Sequence, residues 1–238
     1  MPKPLVAITG ASHGIGRAVA AAFAAEGHPL LLVSRHPEPL DGVPSEQVRQ
    51  AAVDVADYAA LAAAFHDAEA AFGPIECLVN NAGFLRIGAL ETRDPGEMDY
   101  EVDVLLKGVL HGIRAVMPAM VARKSGTIIN VSSIGDRVPG PSGEVYHACK
   151  AAVRSLAASL QKGQAANNVR VINIAPGLVK TNIHADMGIS FEEYCRMLGN
   201  PEFISAEELA DIILFCWRQP QRICIRDIVV MPTSCDFG

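Results

Sequence analysis

Thr9-Gly10-Ala11-Ser12-His13-Gly14-Ile15-Gly16 decides the reading of this chain because of what stands on either side of it. Leu5 to Thr9 is a short apolar run, and Ile15 to about Glu26 is an alanine-rich stretch at helical spacing. The glycines therefore join a strand to a helix. In that position the backbone amides and the positive end of the helix face outward together, which suits a pyrophosphate. Gly10, Gly14 and Gly16, with Ser12, His13 and Ile15 between them, form the candidate phosphate cradle. The spacing GxxxGxG departs from the commoner GxGxxG, and glycines serving only a tight turn would give the same string.

Outward from that loop, strands and helices alternate. Gly27 closes the first helix, and Pro29 to Ser34 gives an apolar run suited to a strand buried on both faces. Strands are then expected at Arg49–Val53, Cys77–Asn80, Gly126–Val131, Arg170–Ala175 and Asp227–Met231. Helices are expected at Tyr58–Phe72, from about Glu97 to Arg123, from about Val145 to Ala165, and at Ser205–Trp217. Each return to a parallel neighbour needs a helix to cover the sheet face. The predicted class is α/β, a Rossmann-like doubly wound parallel sheet with helices on both faces. No Pro/Gly/Ser linker divides the 238 residues, so one domain is expected, with a short substrate lid at about 180–201 where periodicity weakens.

Composition narrows the partners. Half the residues are hydrophobic and 19% are charged, a balance suited to a compact globule. A net charge of -6 without a Lys/Arg stripe argues against nucleic acid. The amino-terminal MPKPLVAIT is too short an apolar stretch for a secretory signal, and no segment reads as a run of about 18 apolar residues, so no membrane span and a cytoplasmic location are expected. The six cysteines form no CxxC pair and the seven histidines no HxxxH or HExxH, which leaves reduced thiols and no metal site.

The end of the second strand distinguishes the nucleotides. NAD sites place an acid there for the ribose 2′-hydroxyl, whereas an NADP site needs positive charge and no carboxylate. Here the residues are Ser34-Arg35-His36. Arg35 can meet a 2′-phosphate with charge-assisted hydrogen bonds, and Ser34 removes the acid. His13 serves either the phosphate or the loop's own packing. NADP(H) is therefore the expected cofactor.

Tyr146 and Lys150 stand four residues apart on one helix face, and Ser133 lies just after the strand GTIINV. All three fall near the carboxyl edge of the sheet, where open α/β folds bind ligands. Together with TGASHGIG, Asn80-Asn81-Ala82-Gly83 and Pro176-Gly177, they resemble the short-chain dehydrogenase/reductase family over nearly the whole chain. That resemblance implies an oxidoreductase moving hydride between nicotinamide and a small aldehyde, ketone or hydroxy acid. It makes Tyr146 the general acid/base and Ser133 a hydrogen-bond donor to the substrate oxygen. Lys150 would hold the nicotinamide ribose and draw the tyrosine's pKa, about 10 when free, toward neutrality. It also implies that Asp54 and Val55 contact adenine and that Asn81, Ala82 and Gly83 pass behind the adenosine ribose, with Asn81 alternatively structural. Pro176, Gly177 and Val179 would lead to Thr181 at the nicotinamide carboxamide. Phe203 to Phe237 resembles the subgroup of serine and 3-hydroxy acid dehydrogenases.

The pattern breaks at Asp103-Val104-Leu105-Leu106-Lys107-Gly108, where the family usually carries an asparagine at the position of Leu105. A leucine leaves the backbone acceptor and removes the polar side chain. The expectation is a proton relay impaired but not abolished, so that Leu105→Asn raises turnover; the rival is a helix adapted around an apolar group, in which case it lowers both turnover and stability. The same substitution supports an alternative function, an NADP-binding regulatory or scaffold protein with little turnover. Gly135, Asp136, Arg137, Phe84, Glu144 and the lid from Thr181 to Leu198 are candidate pocket residues, with Arg137 able to pair with a substrate carboxylate and Glu144 opposing it. The resemblance further implies a homotetramer or homodimer, packed through the helix from about Glu97 and the Tyr146 helix. Ala148, Ala151, Ala152, Ala157 and Ala158 would allow close approach.

Overall fold

The structure, a computed structural model, describes residues 3–183 and 189–235. Its strands are Leu5–Thr9 (β1), Leu30–Ser34 (β2), Val48–Ala52 (β3), Ile75–Asn80 (β4), Gly126–Val131 (β5), Val169–Pro176 (β6) and Asp227–Val230 (β7). They form one sheet in the order β3-β2-β1-β4-β5-β6-β7, and every pairing is parallel. The helices are Gly14–Ala25 (α1), Tyr58–Phe72 (α2), Pro95–Val102 (α3), Gly108–Arg123 (α4), Glu144–Gly163 (α5), Phe191–Met197 (α6) and Ala206–Arg218 (α7).

Alternation along the strands makes the two cores. Val6, Ile8, Leu30 and Leu32 face α1 and α7, where Phe23 and Ile213 pack on them. Leu5, Ala7, Leu31 and Val33 face the other way, toward Leu61 and Phe65 of α2 and Ile113 of α4. Because both faces of β1, β5 and β6 are covered, every residue in them is buried. The edge strands β3 and β7 are half-exposed, as single-sided cover requires.

Element boundaries agree with the sequence reading within about three residues, apart from two differences. The expected helix from Glu97 to Arg123 is α3, a π-helical turn over Asp103–Lys107, and α4. The wider turn is closed by the Gly108 amide bonding to the Asp103 carbonyl, and such turns cluster at functional sites. The combined run Pro95–Arg123 is also long and apolar enough to cross a membrane, contrary to the expectation from sequence. Here it covers the sheet, with Val109, Ile113, Val116 and Met120 in the core. The lid region contains α6, whose first turn is closed by a Ser190/Glu193 capping box. Residues 184–188 of that region, and 236–238 at the end of the Phe203–Phe237 segment, lie outside the described residues.

Candidate active site

Strand order reverses direction at β1, so the loops after β1 and β4 part there and leave a crevice at the carboxyl edge. The glycine loop lines it. Gly10 has φ +66°, and a Cβ there would stand 2.7 Å from the Ala82 Cα. A side chain on Gly16 would overlap the Gly10 carbonyl and lie 2.5 Å from the Asn81 amide nitrogen, so α1 packs directly against the loop. Asn81 clamps this arrangement: its Nδ2 donates to the carbonyls of Thr9 at 3.0 Å and Gly10 at 3.1 Å. Thr9 Oγ1 accepts from the amides of Asn81 and Ala82. Asn81 thus has a structural role, which Thr9, passed over by the sequence reading, shares, and it also lines the cleft. Helix α1 has no capping side chain and no acid in its first turn. Its amides are left for a ligand, and the bare loop beside them fits a pyrophosphate.

At the other end of the crevice Ser34 and Arg35 close β2, and Arg35 extends into solvent. Arg35 Nη1 donates to Tyr100 Oη at 3.0 Å, and Tyr100 Oη donates to Asp54 Oδ2 at 2.6 Å. The Tyr100 ring stacks on Phe84, with centroids 5.8 Å apart and planes at 21°. Val55 is fixed by His111 Nδ1 against its carbonyl at 2.9 Å. His13 contacts Ser12 Oγ through Nδ1 at 2.9 Å, a local contact within the loop. Tyr100 carried no signal in the sequence, since it sits on α3 in a segment without a motif.

The third part stands where β5 meets α5. Ser133 follows β5, and its Oγ accepts from the Gly135 amide at 3.1 Å. Tyr146 and Lys150 project from the first turns of α5 and are both buried. Lys150 Nζ donates to the Val131 carbonyl at 2.9 Å. The expected fall of the Tyr146 pKa toward neutrality is corrected: burial pushes the phenol up to about 12, opposed by its hydrogen bond with Ser133. Burial likewise pushes the Lys150 ammonium down to about 8. Neighbouring Ser132 is buried and donates to the Lys150 carbonyl at 3.4 Å, a structural contact.

Two expectations for the substrate side are corrected. Arg137 is bound by Asp136 (Nε to Oδ1, 2.6 Å) and by both carboxylate oxygens of Asp227 at 3.0 Å, so its charge is already matched and it is not a free carboxylate receptor. Glu144 is exposed and accepts from the Ser142 amide at 3.0 Å, capping its own loop. His147 and Tyr194 do line the crevice beside Tyr146. His147 packs over Gly135 and Gly143, and its buried Nδ1 has no hydrogen-bond partner among the described residues. Leu105 is 1% exposed and packs with Tyr146 and Cys149. Of the alanines expected at a subunit contact, Ala148, Ala151 and Ala158 are exposed, whereas Ala157 faces the chain's own core.

These parts line one cleft of about 600 Å³, reaching from Gly10, Arg35 and Asp54 to Ser133, Tyr146 and Thr181. Among the residues singled out from sequence, Pro176, Gly177 and Val179 also line it, whereas Gly16 lies behind the loop. A family model described as short chain dehydrogenase matches residues 4–189. The chain belongs to the short-chain dehydrogenase/reductase family. Within this oxidoreductase family it is 40% identical over 181 residues to the oxidoreductase UcpA of Escherichia coli (strain K12), covering 73% of this chain and 68% of that protein. It is similar in structure to a closed form of serine dehydrogenase complexed with NADP+, with TM-score 0.89 and 28% identity over 98% of this chain and 96% of that one. A 3-ketoacyl-(acyl-carrier-protein) reductase from Brucella melitensis complexed with NADH has TM-score 0.86 and 26% identity, covering 97% of this dehydrogenase/reductase and 98% of that chain.

Proposed function

We propose that this short-chain dehydrogenase/reductase interconverts a small carbonyl compound and its alcohol with NADP(H), using Tyr146 as general acid/base. The observation that carries the reading is that Ser133, Tyr146 and Lys150 line the same cleft as the glycine loop and Arg35. Bound NADPH would supply hydride to the carbonyl carbon. The residues present fit it: the uncapped amides of α1 and the glycine loop suit its pyrophosphate, and Arg35 without a neighbouring acid at Ser34 suits a 2′-phosphate.

The rest is the work of this chain's own side chains. In reduction the phenol proton at Tyr146 Oη passes to the oxygen that gains charge as hydride arrives. Ser133 Oγ donates to that same oxygen and stabilises it. Lys150, fixed against Val131, holds positive charge beside the phenolate that remains and favours its formation. In oxidation the phenolate takes the alcohol proton. The subunits would assemble as a homotetramer or homodimer in the cytoplasm through α4 and α5, whose Ala148, Ala151 and Ala158 stay open to a partner.

A second reading follows from Leu105, which replaces a polar position beside Tyr146 with a buried apolar one: a nucleotide-binding regulatory protein with little turnover. Reduced-nicotinamide oxidation, followed for NADPH and NADH against aldehydes, ketones and hydroxy-acid precursors, separates them. Substrate-dependent consumption of NADPH supports the enzyme, and tight NADPH binding with none consumed across the panel overturns it.

A further inference from the structure

A long, solvent-exposed arginine makes a poor selector on its own, because it loses side-chain freedom when it binds. Arg35 is such a residue, rising from the end of β2. The structure restrains it indirectly. A phenol has one proton to give, and Tyr100 gives it to Asp54 at 2.6 Å while its oxygen accepts from Arg35 at 3.0 Å. Burial and the Asp54 carboxylate raise the Tyr100 pKa above its ordinary value, which keeps the donor form. The ring is held by its stack on Phe84.

The order of the groups matters. A direct Arg35–Asp54 pair would hold the guanidinium as firmly but cancel its charge and set a carboxylate against an incoming phosphate. With the phenol interposed, Asp54 anchors Arg35 without an ion pair, and among the described residues no carboxylate lies within ion-pair distance of Arg35. Of the five N–H donors a guanidinium carries, one is used and the others remain for an anion. Arg35, Asp54 and Tyr100 all line the end of the cleft opposite Ser133 and Tyr146.

From this geometry we infer that Tyr100 is a positioning residue for cofactor choice, holding Arg35 through its hydroxyl so that a 2′-phosphorylated nucleotide is preferred. The inference rests on the NADP(H) reading above and assigns part of that preference to a residue outside the sequence motifs.

Tyr100→Phe removes only the hydroxyl and keeps the stack on Phe84. Dissociation constants of NADPH and NADH would be measured for the wild type, Tyr100→Phe, Arg35→Ala and the double variant. Loss of one hydrogen bond predicts NADPH binding weaker by roughly threefold to tenfold in Tyr100→Phe, with NADH changed less than about twofold. In the Arg35→Ala background the second substitution should change neither value, because it has nothing left to position. Equal losses for both nucleotides would reduce Tyr100 to a structural role, and tighter NADPH binding would mean that the hydroxyl withholds Arg35; either overturns the inference. If Arg35→Ala leaves the NADPH:NADH ratio unchanged, the NADP(H) reading fails and the inference with it. If Arg35→Ala shifts the ratio and Tyr100→Phe does not, only the inference falls.

Discussion

The ammonium of Lys150 lies over the ring of Tyr146, 5.5 Å from its centroid, and both side chains are buried. Burial acts on them in opposite senses, because it disfavours the charged form of each. The lysine is pushed down to about 8 and the tyrosine up to about 12. A neutral phenol therefore stands beside a cation that is easily discharged.

Stability should record this. Between about pH 8 and the ordinary lysine value of 10.5 the folded chain binds fewer protons than the unfolded one, so the Lys150 contribution rises with pH across that window. Tyr146 works the other way between 10.0 and about 12, where the folded chain retains a proton the unfolded chain has lost. Lys150→Met removes the first slope. The variant should melt above the wild type near neutral pH, with the difference shrinking as pH rises toward 10.5. Melting curves across that range check the sign. A variant that melts lower than the wild type at neutral pH would show that the bond to Val131 outweighs the desolvation of the ammonium.

Tyr146→Phe should cut turnover by at least about a hundredfold, since a positioned general acid contributes roughly 10² to 10⁴. NADPH affinity should stay near wild type, because the ring and its packing on Leu105 and Cys149 remain. Steady-state kinetics beside a nucleotide titration separates the two quantities. Near-normal turnover would remove the proposed mechanism.

Cofactor preference should move when the end of β2 is rebuilt. Ser34→Asp combined with Arg35→Ala supplies a ribose acceptor and removes the phosphate partner, so preference should pass to NADH. The ratio of kcat/KM values for the two nucleotides reads this directly. A wild type that already prefers NADH would contradict the cofactor assignment.

Arg137→Ala should cost stability and leave substrate choice alone. Asp136 has a fully buried side chain, and removing its guanidinium partner leaves that carboxylate with Asn173 Nδ2 at 3.1 Å. Arg137 itself is one-fifth exposed, so the usual cost of breaking a buried pair is discounted to on the order of 1–3 kcal/mol. Chemical denaturation gives the loss. A selective rise in KM for carboxylated substrates would instead restore Arg137 to substrate binding.

Locally encoded features were legible in the sequence. The limits of β5 and α2 follow from an apolar run and a helical period broken by glycine. The glycine loop follows from its place between an apolar run and a helical period, whereas the roles of Ser133, Tyr146 and Lys150 rest on the family resemblance that their spacing carries. What escaped the reading is set by tertiary crossings. Arg137 looks like a free cation until Asp227, 90 residues away, comes beside it across the sheet edge. Tyr100 acquires its role only because the fold brings it between Arg35 and Asp54, 65 and 46 residues away in the chain. The π-helical turn likewise has no sequence period of its own to distinguish it from the flanking helices.

Leu105 gives the prediction with the most at stake, because sequence and structure point to opposite signs. With the family's asparagine missing, an impaired proton relay suggests that Leu105→Asn would raise turnover. The packing favours the other outcome. Leu105 is 1% exposed, lies against Tyr146 and Cys149, and its Cδ2 would stand 2.9 Å from a Cβ on Gly83. An asparagine there brings an amide with both donors and acceptors into a pocket walled by Leu85, Val102 and Leu106. Leaving such groups unpaired costs about 1–3 kcal/mol, and losing the leucine's contacts loosens the seat of Tyr146. We therefore expect Leu105→Asn to melt lower and turn over more slowly, with NADPH affinity changed less, because Leu105 itself does not line the cleft. Leu105→Met, which keeps the apolar fill, should retain most of the activity and stability. Faster turnover in Leu105→Asn with an undiminished melting temperature would show that a polar group at this position helps the proton return to Tyr146 and that the apolar packing is dispensable.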